Sequence, residues 1–180
     1  VRLLSETQAH VEGLLTLGDA FGEVRRRQAN DTLETASSST QWLAGLPRLV
    51  EESLADWDLA VDGDPTHGMA ALVLPVRCRD DSLAVLKITW PHQDAEHEHL
   101  ALQHWGGRGA VRLLAANPSR WTMLLERLDS DRDLHGVPID EACQVIGGLL
   151  RQLDRVAPPQ LSLLSAEAAR TTDLAGSDNY

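Results

Sequence analysis

SLAVLKITW, residues 82–90, is the stretch on which the fold turns. Leu83, Val85, Lys87 and Thr89 alternate onto one face of a strand, while Leu86, Ile88 and Trp90 take the other. Lys87 is the only lysine in the chain, and the other fifteen basic residues are arginine. A lysine inside an apolar strand must reach water along its aliphatic stem or meet an anion, because an unpaired buried ammonium is costly.

Outward from this strand, apolar runs at 59–61, 70–76, 83–90, 111–116 and 122–128 predict five strands. Three of the breaks are turn signals, namely Gly63-Asp-Pro65, Arg79-Asp-Asp81 and Asn117-Pro-Ser119, and the fourth is a helical stretch. That helix is expected over 93–105, because it follows Pro91 and opens with acids. Behind Pro138, Ile139, Ala142, Cys143, Ile146, Leu149, Leu150 and Leu153 recur at helical spacing and predict a strongly amphipathic helix ended by Ala157-Pro-Pro159. Upstream, Trp42, Leu43, Leu46, Leu49, Val50 and Leu54 make a helical stripe, interrupted or restarted at Pro47. Residues 30–40, NDTLETASSST, read as a polar linker, and 3–27 carry a weak helical pattern with three glycines. Residues 160–180 are polar, with at most a short helix near 165–170.

Composition narrows the classes. The net charge of −11 argues against a nucleic-acid partner, which needs clustered cations. Two cysteines, Cys78 and Cys143, are too few for a disulfide scaffold or a zinc site. The apolar runs fall short of a membrane span, and residues 1–30 have no secretory pattern, so a cytoplasmic protein is expected. His97 and His104 share a helix face but lie two turns apart, too far for one metal ion. The five tryptophans read as core or rim packing.

Glu98 changes the meaning of Lys87. At 3.6 residues per turn it falls on the stripe of Ala95, Ala101, Leu102 and Trp105, whereas Glu96 points away. Two inward charges of opposite sign in adjacent elements relieve each other's burial. The pair is either purely structural or a phosphate-binding lysine oriented by a helix glutamate.

The order strand, loop, strand, lysine strand, glutamate helix, strand, strand resembles the N-terminal lobe of the protein-kinase-like fold. More narrowly, AVLKITWPHQDAEHEHLALQHWGGRGAVRLLAANPSRWTMLLERLD (84–129) is similar to the aminoglycoside and hydroxyurea phosphotransferases of the streptomycin 6-kinase type. WLAGLPRLVEESLADWDL (42–59) and HGVPIDEACQVIGGLLRQL (135–153) resemble the same family, so the likeness covers roughly 41–170.

The resemblance implies an α+β, kinase-like N-lobe: a five-stranded antiparallel sheet with one helix, preceded by a helical arm and followed by the first helix of a C-lobe. The implied divisions are arm and linker at 1–39, N-lobe at 40–128, and hinge connection, first C-lobe helix and truncated tail at 129–180. It implies that Lys87 meets the α- and β-phosphates of ATP and pairs with Glu98. Glu126 and Leu128 would lie in the hinge whose backbone reads the adenine edge. Gly63 and Gly68 would bound the loop over the phosphates, although their spacing departs from G-x-G-x-x-G.

The family's catalytic loop, of the type His-Gly-Asp-Leu-His-x-x-Asn, has one imitation here, Asp131-Arg-Asp-Leu-His-Gly136. It begins three residues past Leu128, lacks the asparagine and runs straight into the helix behind Pro138, so an exposed connection is expected. No catalytic residue or metal ligand is assigned, and magnesium is expected only with the missing lobe. The implied function is ATP-dependent phosphoryl transfer to a hydroxyl of an aminoglycoside-type small molecule, with this chain inactive alone. The alternative is a non-catalytic, truncated nucleotide-binding or oligomerisation module, whose exposed lobe surface would join copies of the chain.

Overall fold

The computed structural model describes residues 33–161 apart from Met69. The helical expectations at 3–27 and 165–170 lie outside the described residues. By internal contacts the chain divides into two units: one runs to Glu96 and takes Leu113–Ser130, the other holds His97–Arg112 and continues from Asp131.

The first unit is α+β. Helix α1 (Leu33–Asp56) precedes an antiparallel sheet of β1 (Ala60–Val61), β2 (Thr66–His67), β3 (Ala71–Arg77), β4 (Leu83–Thr89), β5 (Leu113–Asn117) and β6 (Thr122–Glu126). The strand order is β1-β3-β4-β6-β5, with β2 on the same outer edge of β3 as β1. The sheet therefore has six strands rather than the expected five. Thr66 and His67 pair with Val73 and Leu72 inside what reads as a turn, and a two-residue ladder has no periodicity to betray it.

Two expectations for α1 are also corrected. It begins at Leu33, within the stretch read as a linker, and it runs through Pro47 without a break. A proline inside a helix costs about 3 kcal/mol. Its neighbours Leu46 and Val50 are each 4% exposed, and burying each contributes about 1.5–3 kcal/mol, so packing outweighs the local penalty. Ser53, buried three residues further on, satisfies its hydroxyl by donating to Leu49 O at 2.7 Å.

Leu46 and Val50 pack on one face of the sheet against Leu72, Leu74, Val76, Ala84, Leu86, Ile88 and Leu124. The alternation of β3 and β4 fixes that face, because Leu74, Val76, Leu86 and Ile88 are buried while Val73, Pro75, Val85 and Lys87 are only half-buried. The tight β3–β4 connection is held by Asp80, whose Oδ1 accepts from Ser82 Oγ at 2.6 Å and Ser82 N at 3.1 Å.

The second unit contains α2 (Glu98–Trp105) and α3 (Ile139–Leu153). The helix expected over 93–105 is a 3-10 turn at Gln93–Ala95 followed by α2, because His97 adopts φ −111, ψ 12 and separates them. Gly106, in the left-handed conformation, ends α2 with its N–H on Leu102 O. Trp105 Nε1 donates to Leu153 O at 3.1 Å, and Gly109 (φ 75) passes so close to α3 that a Cβ would lie 3.0 Å from Gln152 Cβ. Helix α3 ends at Leu153, before the prolines expected to stop it. Of its expected apolar face only Ala142 is buried, while Ile139 is 74% and Leu150 61% exposed.

Candidate functional site

Register builds the site on the sheet face turned away from the core. Lys87 pairs with Val73 on β3 and with Met123 on β6; one row further along, Val85 pairs with Pro75 and Leu125. Directly paired residues of antiparallel strands share a face, so these six side chains form one surface. Met123 and Leu125 are buried, and the other four are half-buried. The result is an apolar floor with a single ammonium set into it. Such a surface suits a flat apolar ring joined to an anion, the ring lying on the aliphatic side chains and the anion taking the lysine's donors.

At the Pro75 end the floor is closed by charge, since Asp62 lies opposite Pro75 and Arg77 in the row after it. Asp62 follows β1, and its Oδ1 accepts from Arg77 Nη2 at 2.8 Å and Nε at 3.3 Å. Its Oδ2 accepts from Arg127 Nη1 at 2.6 Å, and the same nitrogen lies 3.5 Å from Asp62 O. Hydrogen bonds from the Arg77 guanidinium first, and then from Arg127, hold the Asp62 carboxyl below the usual carboxylate range.

Gly63 and Gly68, the two glycines of the loop, are not equivalent. A Cβ on Gly63 (φ 157) would come within 3.3 Å of Pro75 Cβ and Cγ, so the loop starts in close contact with β3. Gly68 has open space around it and donates its N–H to Ala71 O at 3.0 Å. Glu126 ends β6, half-buried and paired with Ala84, and Leu128 is 64% exposed. Glu98 is the first residue of α2, half-buried, in the second unit.

Sequence reasoning singled out Lys87 and its strand neighbours and passed over Asp62, Arg77 and Arg127. Asp62 and Arg77 are 15 positions apart, and Asp62 and Arg127 are 65 apart, so no spacing signals the trio. The Asp131–Gly136 segment is exposed throughout; Asp133 Oδ1 accepts from His135 N at 2.8 Å, a local turn contact. Among the described residues no group of three or more His, Cys, Asp or Glu is placed to hold a metal ion. No helix among them is long and apolar enough to cross a membrane.

Residues 56–176 match the model of the family described as aminoglycoside/hydroxyurea antibiotic resistance kinase. The chain belongs to that family. The match takes in the Lys87 floor, the Asp62 trio and both helices of the second unit. Within this kinase family, the chain is 46% identical over 120 residues to a streptomycin 6-kinase of Streptomyces glaucescens, covering 66% of this chain and 39% of that protein. It is 45% identical over 122 residues to the streptomycin 6-kinase of Streptomyces griseus, covering 67% and 40%. A hydroxyurea phosphotransferase of Kitasatospora aureofaciens is 42% identical over 127 residues, covering 69% and 37%. The chain thus spans about two fifths of the length of the curated relatives it matches. No solved structure matches it.

Proposed function

We propose that this chain carries the nucleotide-binding part of an ATP-dependent phosphotransferase whose acceptor is a small molecule of the streptomycin or hydroxyurea kind. The observation that carries the reading is Lys87 in the apolar floor of Val73, Pro75, Val85, Met123 and Leu125, in a chain of this kinase family. The adenine ring would lie on the floor, with backbone groups near Glu126 and Leu128 reading its edge. The Lys87 ammonium would hold the α- and β-phosphates. The loop begun by Gly63 and closed by Gly68 would cover the phosphates. The lobe assignment, with the sheet unit as N-lobe and α3 opening the C-lobe, is part of this proposal.

Titration of the 180-residue chain with ATP, followed by calorimetry, tests it. Lys87→Ala should weaken binding by at least roughly tenfold, the loss of a charge-assisted contact to phosphate. Equal affinity in the two proteins would remove Lys87, and with it the nucleotide site.

A second reading is favoured by one observation, the exposed apolar side chains of α3, among them Ile139, Ile146 and Leu150. Under it the chain is a module that associates through this helix. Sedimentation at increasing concentration tests that reading, and a monomer throughout would dismiss it.

A further inference from the structure

The Asp62 trio joins places that the chain keeps far apart. Asp62 is the residue before Gly63, at the root of the loop, and Arg127 is the residue after β6, between Glu126 and Leu128. In the sheet order, β3 and β4 lie between their strands. Val61, Val76 and Leu124 pack with the core, so alternation puts Asp62, Arg77 and Leu125 on the opposite face, the face of Lys87. The Asp62–Arg127 bridge therefore crosses that face at one end of the apolar floor. Side-chain exposures of 26% for Asp62 and 31% for Arg127 leave the bridge in contact with solvent. A Cβ on Gly63 would press on Pro75 at 3.3 Å and only touch Arg127 Nη2 at 3.9 Å, so the root of the loop lies beside the bridge.

We propose that Asp62 is a positioning residue of the candidate nucleotide site, tying the root of the 63–68 loop to Arg127 beside the adenine-reading segment. The inference rests on the nucleotide reading of the Lys87 floor. A loop that must lie over a ligand costs affinity when ligand binding has to order it, and a bridge already formed removes that cost. Arg77 fixes the carboxylate from one side, so that its second oxygen faces Arg127. The trio thus couples the part of the site that would hold phosphates to the part that would read the base.

The test pairs ATP titration with amide hydrogen exchange on the same chain, in wild type, Asp62→Asn, Asp62→Glu, Arg127→Met and Lys87→Ala. Asp62→Asn is expected to weaken ATP binding roughly twofold to fivefold, the upper range of a solvent-exposed ion pair transmitted to a ligand. Without ATP it should also speed exchange at residues 66–68, whose ladder to β3 the bridge braces. Asp62→Glu should recover most of both effects, and Asp62→Asn combined with Arg127→Met should be no weaker than Asp62→Asn alone. If Lys87→Ala loses ATP while Asp62→Asn binds it as wild type does, the positioning role is overturned and the nucleotide reading stands. If Lys87→Ala binds as wild type, the nucleotide reading falls and this inference falls with it. Unchanged exchange at 66–68 in both Asp62→Asn and Arg127→Met would also overturn the role. Should Asp62→Asn fail to fold, Arg127→Met carries the same comparison from the other end of the bridge.

Discussion

The indole of Trp42 meets that of Trp90 edge to face, with ring centroids 5.4 Å apart and planes at 83°. The contact joins α1 to the residue that follows β4, beside the buried core. Trp90 is 6% exposed, so Trp90→Ala should destabilise the fold by about 3–5 kcal/mol. In urea denaturation the double substitution with Trp42→Ala should fall short of the summed single losses by about 0.5–1.5 kcal/mol, the usual worth of such a ring pair. Strict additivity would show that the two rings are not coupled.

The two faces of β4 should separate stability from ligand binding. Leu86 is fully buried, and Leu86→Ala should cost about 2–5 kcal/mol. Val85 is half-buried on the Lys87 face, so Val85→Ala should cost well under half of that while weakening ATP binding. Denaturation midpoints alongside ATP titrations check both, and a Val85→Ala chain with unaltered ATP affinity would detach the floor from the ligand.

Gly63 and Gly68 should respond differently to a single methyl group. Gly63→Ala drives a Cβ against the Pro75 ring in a backbone conformation that suits glycine, and it should lower the melting temperature. Gly68→Ala meets open space and should leave it close to wild type. Equal melting temperatures for the two variants would show that the loop root adapts freely.

Acid should act through Asp62. Its folded carboxyl titrates below the ordinary 3.8 because Arg77 and Arg127 favour the charged form, so its stabilising contribution is complete above that value and is lost as pH falls through the lower, folded value. The melting-temperature gap between wild type and Asp62→Asn should therefore be constant from pH 7 to about 5 and narrow below 3.8. A gap that persists unchanged to pH 2 would show that the substitution acts through something other than the carboxylate charge.

What could be read in advance depended on how local the cause was. The faces of β4 were legible because alternation of period two is written into residues 83–90, and α3 was legible because its apolar residues recur every three or four positions. The start of α1 was not, since Ser and Thr at 37–40 mark caps and linkers as readily as a helix. Pro47 misled because the burial of Leu46 and Val50, a tertiary effect, outweighs a local rule. The strand at Thr66–His67 exists only because β3 offers it an edge. In the candidate site, Lys87 was conspicuous as an isolated cation in an apolar run. Asp62, Arg77 and Arg127 look like ordinary surface charges until the strand order brings them together.

Residue 75 has a consequence for how this sheet meets other molecules. The outer edge of β3 is taken up by β1 at Val76 and Arg77 and by β2 at Leu72 and Val73. Pro75 stands in the gap between them, where it has no N–H to offer and its carbonyl already accepts from Asp62 N at 2.9 Å. At the far edge, β5 meets β6 with a register shift between Leu113 and Ala115. Short strands, a proline and a bulge are the devices that stop a sheet from recruiting strands from neighbouring chains. Among the described residues this sheet is thus a poor seed for fibre growth, and self-assembly through it would proceed by side-chain packing and not by extending the hydrogen-bonded ladder.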